Sequence, residues 1–137
     1  METITNDNPN EEEIKFIRSS LKDEYGIIYP DNYKEINLIE YNEERKIVAG
    51  LIGCTYWGWL YVNILWVNKE YRNKGIGKKL IKKAEKEALE RGCKYAHLDT
   101  MDFQAPGFYK KLSYEIKYET ENIPEGHKKY YMIKELK

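Results

Sequence analysis

Apolar residues fall at helical spacing early in the chain and at strand spacing after it. Ile14, Ile17 and Leu21 recur every three to four positions with Phe16 beside them, which predicts an amphipathic helix. Asn10 is placed to cap it, and Glu11, Glu12 and Glu13 sit where the helix dipole favours acids. Gly26 ends the pattern and Pro30-Asp31-Asn32 reads as a turn. Residues 1–9 are expected to fray or to form a short first strand. Glu35 to Tyr41 alternates weakly, Asn42-Glu43-Glu44-Arg45 is a polar turn, and Ile47 to Tyr56 is a more apolar strand. Trp57-Gly58-Trp59 reads as a hairpin reversal into Leu60 to Val67, giving a small antiparallel meander.

The period then returns to 3.6. From Gly77 to about Arg91, Leu80, Ile81, Ala84, Ala88 and Leu89 form one apolar face. Lys82, Lys83, Lys86 and Glu87 form the other, with the pairs Lys83–Glu87 and Lys86–Glu90 at i,i+4. Gly92 stands where a left-handed residue closes a helix. Tyr95 to Met101 is a strand, parallel to Leu60–Val67 if the helix is a right-handed crossover. Gln104 to Leu112 is a short helix with Pro106 in its first turn, and Tyr114–Thr120 and Lys129–Lys134 are final strands. The loop Asn122-Ile123-Pro124-Glu125-Gly126-His127 separates them. The expected architecture is mixed α/β (an α+β mixed sheet): a meander, a strand–loop–helix–strand unit, then a helix and hairpin, as one domain over residues 1–137.

Composition changes this picture little, and charge changes it locally. The 137 residues suffice for one core, and formal net charge is zero, so no global field draws the chain to nucleic acid or a membrane. Residues 1–24 carry seven acids against three bases, whereas residues 69–94 carry ten bases against four acids. A basic patch on a neutral protein suits a small polyanion better than a nucleic-acid backbone. The N-terminal residues lack an apolar h-region, and no apolar run approaches the ~20 residues of a membrane span. Cys54 and Cys93 fit no metal or CxxC spacing and read as core positions, so the expectation is a reduced cytoplasmic protein.

The basic patch centres on Tyr71-Arg72-Asn73-Lys74-Gly75-Ile76-Gly77-Lys78-Lys79-Leu80, between a predicted strand and the predicted helix. Two glycines there let the backbone approach a ligand, and the first helix amides lack partners and favour an anion. A P-loop would need four residues between its first Gly and Gly-Lys-Ser/Thr, which this stretch does not supply. A dinucleotide fingerprint would need glycine at Leu80, although Asp99 stands at a suitable distance for its acid. The plain alternative is a Gly-containing turn before a solvated Lys-rich helix.

Arg72-x-x-Gly75-x-Gly77 resembles the acyl-CoA-binding motif of the GNAT superfamily of N-acetyltransferases, Gln/Arg-x-x-Gly-x-Gly/Ala. Downstream, Asp102 to Tyr114 resembles the second signature of that family, with Ala105, Phe108, Tyr109, Lys111 and Tyr114 at matching places. Asp102 stands where the family has an Asn bonded to the pantetheine region, and Ser113 replaces a Gly. An ionised acid accepts hydrogen bonds there but donates none. The resemblance implies a GNAT-like fold and acetyl-CoA as donor. It assigns cofactor binding to Arg72, Asn73, Lys74, Gly75, Ile76, Gly77 and Lys78, the pyrophosphate lying on the Gly75–Lys78 amides. It further implies that the backbone of Leu65, Trp66 and Val67 pairs with the pantetheine, with Asp102, Ala105, Phe108, Tyr109 and Lys111 completing the site.

Transfer of an acetyl group to an amine requires a neutral nucleophile and a leaving thiolate that receives a proton. By the resemblance, Tyr109 points its hydroxyl at the cofactor sulfur, as a modest acid. The base is open among Glu40, Asp99, His97 and His127, and Tyr95, His97 and Asp99 alternate along one strand face. Tyr56, Trp57, Trp59, Tyr61 and Trp66 read first as core and hairpin packing and second as an acceptor pocket with cation–π surface. The leading expectation is direct transfer from acetyl-CoA to a primary amine of a small molecule or protein, without metal or covalent intermediate. A non-catalytic acyl-CoA-binding module on the same fold is the second reading, and a nucleic-acid-binding domain the third. Homodimers are common in the superfamily.

Overall fold

The computed structural model describes residues 1–25 and 32–137, so the expected end of the first helix at Gly26 and part of the Pro30-Asp31-Asn32 turn lie outside it. The chain divides into two compact units, Met1–Asp31 and Asn32–Lys137. In the first, helix α1 spans Glu11–Tyr25. Its start is a reciprocal cap: the Glu13 amide donates to Asn10 Oδ1 at 2.8 Å, and the Asn10 amide donates to Glu13 Oε2 at 3.3 Å. Residues 1–9 form no strand.

The second unit holds six strands, β1 (Lys34–Tyr41), β2 (Ile47–Tyr56), β3 (Trp59–Val67), β4 (Tyr95–Met101), β5 (Glu115–Glu121) and β6 (Lys128–Glu135), and two helices, α2 (Ile76–Glu90) and α3 (Pro106–Lys111). The sheet order is β1-β2-β3-β4-β6-β5, antiparallel except for the parallel pair β3–β4. The β2–β3 hairpin turns on two residues, Trp57 at φ 50 and Gly58 at φ 80. Positive φ at both turn residues matches the twist of the flanking strands. Period-2 alternation sends Leu60, Val62, Ala96 and Leu98 into the core and leaves Trp59, Tyr61, His97 and Asp99 on the opposite face.

Helix α2 lies against the core face through Leu80, Ile81, Ala84 and Ala88. Leu89, expected on that face, is exposed, and Glu85 is buried in its stead. Burying this carboxylate is tolerable because Lys134 Nζ sits 2.8 Å away and the Tyr114 hydroxyl donates to it at 3.3 Å. The anticipated pairs Lys83–Glu87 and Lys86–Glu90 do not form among the described residues; Glu87 pairs with Arg91, and Lys82 with Glu85 at 3.8 Å. Arg91 also donates to the Lys34 and Glu35 carbonyls at 3.1 Å, which draws Glu87 toward the sheet. Cys54 and Cys93 are buried free thiols, as core positions should be.

One irregularity interrupts the β2–β3 ladder. Ile52 pairs with Ile64 but Gly53 pairs with Val62, so Asn63 is an extra residue in β3. The parallel pairing of β3 with β4 ends at that same place, Val62 opposite Leu98. A bulge bends its strand and increases local twist. Here it carries Asn63–Val67 away from Asp99–Met101, and the two strands splay.

Candidate active site

The splay leaves the β4-facing edge of Asn63–Val67 without a strand partner among the described residues. An edge inside a sheet is a template for an extended, amide-bearing ligand, which can pair with it as an added strand. A groove of about 650 Å³ opens there, lined by Leu65, Trp66 and Val67 of β3, the loop into α2, and the start of α3. Arg72 fixes the loop end by donating from Nε to the Val67 carbonyl at 2.9 Å.

Loop geometry explains the glycines. Gly75 sits at φ 80 as the N-cap of α2 and offers no side-chain cap. The amides of Ile76, Gly77 and Lys78 therefore face outward without an intrahelical partner, which suits an anionic group. A Cβ on Gly77 would stand 3.2 Å from the Phe108 ring and 3.7 Å from Val67, so glycine there lets α2, α3 and β3 close around the groove. Ligand charge would meet positive charge from Arg72 and Lys78 in the lining.

Tyr109 stands at the foot of the groove, 8% exposed, with Phe108 at 5.1 Å and Tyr114 at 6.0 Å packed edge-on. Burial pushes its phenol up to about 12, the Asp99 carboxylate adding to the effect, and no protein hydrogen bond contributes. The hydroxyl thus stays protonated, and so a donor, across the neutral range. On the other face of the splay, burial pushes the His97 imidazole below its ordinary value against the opposing pull of Asp99. His97 is held between Trp59, edge-on at 5.4 Å, and Tyr61 at 4.9 Å. Asp99 accepts from the Tyr61 hydroxyl at 3.4 Å and lies 3.7 Å from Lys129 Nζ.

Of the residues anticipated from sequence, Leu65, Trp66, Val67, Arg72, Asn73, Gly75, Ile76, Gly77, Lys78, Ala105, Phe108 and Tyr109 meet in the groove. Lys74, Asp102 and Lys111 stand outside its lining. Lys74 Nζ instead lies over the Tyr71 ring at 5.3 Å. Asp102 accepts from the Lys128 amide at 3.0 Å and faces His127 Nδ1 at 3.0 Å, so its carboxylate fastens the β5–β6 loop. Burial pushes that carboxyl up, but the Lys128 amide and His127 outweigh it and hold it below the usual range. Tyr71, Phe103 and Gln104 line the groove without having been singled out, though all three adjoin the two motifs. Two of the four base candidates are engaged away from His97: Glu40 binds Lys79 Nζ at 2.7 Å, and His127 faces Asp102.

A mixed sheet splayed beside an open helix N-terminus, with a buried phenol in the lining, offers an edge to an extended, amide-bearing ligand and a place for an anion at one end of it. The model of the Acetyltransferase (GNAT) family matches residues 3–114, and the chain belongs to that family; by class it is an acyl-CoA-dependent N-acetyltransferase. It is 39% identical to blasticidin-S acetyltransferase of Streptomyces morookaense over 95 residues, which is 69% of this chain and 70% of that protein. The crystal structure of an acetyltransferase from Bacillus cereus ATCC 14579 aligns at a TM-score of 0.85 with 33% identity, covering 97% of this chain and 98% of that one. A Bacillus anthracis chain solved with acetyl coenzyme A shares the fold at a TM-score of 0.66 and 24% identity, over 74% of this chain and 62% of that one. Among the described residues no helix is long and apolar enough to cross a membrane.

Proposed function

We propose that this chain transfers the acetyl group of acetyl-CoA to a primary amine by direct attack in a ternary complex. The observation that carries the reading is the splay of β3 from β4 beside the α2 N-terminus, with Tyr109 at its foot. The residues present fit acetyl-CoA: unpaired β3 edge for the pantetheine amides, the Ile76–Lys78 amides for the pyrophosphate, and Arg72 and Lys78 for further phosphate charge. Bound there, acetyl-CoA supplies an activated acyl carbon and a thiolate leaving group.

The residues of this chain handle the protons. His97, neutral at pH 7 because burial depresses it, accepts the proton lost by the attacking amine. Asp99, between Tyr61 and Lys129, attracts the amine as an ammonium, which gives its first proton to water before it attacks and its second to His97 as the amide forms. Edge amides of Asn63–Val67 can donate to the carbonyl oxygen as negative charge develops on it. Tyr109 donates a hydrogen bond to the departing sulfur as the carbon–sulfur bond breaks and the carbon–nitrogen bond forms. The acceptor is an amine on a small molecule or protein, a reading supported by the antibiotic named in the blasticidin-S relative.

Calorimetric titration of acetyl-CoA and of dephospho-CoA tests the donor. Micromolar binding of acetyl-CoA, weakened without the 3′-phosphate, is expected, and an amine-dependent release of free CoA should follow. Absence of binding to both ligands would overturn the reading of the Arg72–Gly77 loop.

A further inference from the structure

The sheet face away from α2 carries a pocket of about 790 Å³ whose lining is largely aromatic. Trp59 is stacked on Tyr95 at 4.8 Å and 28°, so its indole is braced from behind. His97 stands edge-on to Trp59, Tyr61 tilts over His97, and Tyr118 packs on its cross-strand neighbour Tyr131 at 5.3 Å, both rings in the lining. The lining contains one acid, Asp99, and one lysine, Lys117. Lys129 Nζ lies 5.4 Å from the Tyr131 ring centre and 3.7 Å from Asp99, so the chain's own ammonium already occupies a position between a carboxylate and a π face. Asp99 follows Leu98, the last β4 residue paired with β3, so the acid of the pocket stands where the splay begins.

We infer that this pocket is an acceptor subsite selective for amines carried on a flat, unsaturated body, such as a heteroaromatic ring or a guanidinium plane. The inference rests on the acetyl-transfer reading for its chemistry but on the pocket alone for its selectivity. Polycationic acceptors such as polyamines or aminoglycosides need several carboxylates to meet several ammonium groups; here one carboxylate is present. Flexible saturated chains would gain area from the walls but no stacking, whereas a planar body gains both. Asp99 orients the ammonium toward the splay, and the plane behind it lies against the aromatic lining to which Trp59 of β3 and Tyr118 of β5 both contribute.

The test compares phenethylamine with cyclohexylethylamine, equal in charge and reach but different in planarity. Dissociation constants are measured by NMR titration without donor, and kcat/KM for acetylation is measured with acetyl-CoA. The planar amine should bind about three- to tenfold tighter, as one ring–ring contact warrants, and kcat/KM should follow the same order. The preference should collapse in Trp59→Leu and in Tyr118→Ala. The second variant changes an exposed side chain, so the test stands even if the first fails to fold. Equal affinities, tighter binding of the saturated amine, or a preference that survives Tyr118→Ala would overturn the inference. Ring-selective binding in a protein that does not bind acetyl-CoA would uphold the pocket and sink the transfer reading.

Discussion

Replacing Tyr109 with phenylalanine removes one hydroxyl and leaves the ring that packs on Phe108 and Tyr114. With the phenol at about 12 and a thiol near ~8.5, full proton transfer to the departing thiolate is uphill by about 3.5 pKa units. That is ~5 kcal/mol against transfer, so Tyr109 works as a hydrogen-bond donor to developing charge. Such a bond contributes ~1.5–3 kcal/mol, and its loss should lower kcat about 10- to 150-fold. The unfolding midpoint and the acetyl-CoA affinity should stay unchanged. The sign of the pH effect follows from the raised value. The protonated donor is fully present below the ordinary phenol value of ~10 and disappears only as pH climbs through about 12. The same window holds for its contribution to stability, which favours the folded state at lower pH. A continuous thiol-release assay from pH 7 to 10.5 on both proteins decides the matter. Tyr109 is not the donor if the phenylalanine variant keeps kcat within about twofold, or if the native enzyme shows an alkaline limb near pH 9 that the variant lacks.

Gly53 is required where β3 bulges, because a methyl built on it would overlap the Tyr61 carbonyl oxygen and lie 3.4 Å from its carbon. Gly53→Ala should therefore destabilise by about 1–3 kcal/mol, read as a lower urea midpoint, and should weaken acetyl-CoA binding because the splay starts there; a neutral result would discredit the bulge as the cause. Asp102→Asn should leave acetyl-CoA affinity nearly unchanged while loosening the β5–β6 loop, seen as faster amide exchange at Lys128. A large affinity change in either direction would show that this side chain serves the cofactor after all. With its carboxyl held low, the loop contact of Asp102 is present above the ordinary aspartate range and is lost as pH falls through the depressed value, so native-protein exchange at Lys128 should quicken only in acid.

Local chemistry made much of this protein legible from its sequence. Asn10 with Glu13, Gly92 after α2, Pro106 at the start of α3 and the Trp57-Gly58 turn each specify their own backbone, because capping and turn preferences act within four residues. The two glycines of Arg72–Gly77 and the Ala105–Tyr109 segment announced the groove for the same reason, since anion binding by a helix N-terminus is a local property. What the tertiary structure decided lies in relations between distant segments. Glu85 replaced Leu89 on the buried face because Lys134 and Tyr114, 49 and 29 residues away, satisfy its charge. Asp102 turned from the expected site because the Lys128 amide and His127 arrive beside it from the far end of a hairpin. Trp59, Tyr61 and His97 became one wall only when β3 paired in parallel with β4. Periodicity reports which face a side chain takes, and only pairing across the sheet determines which side chains share it.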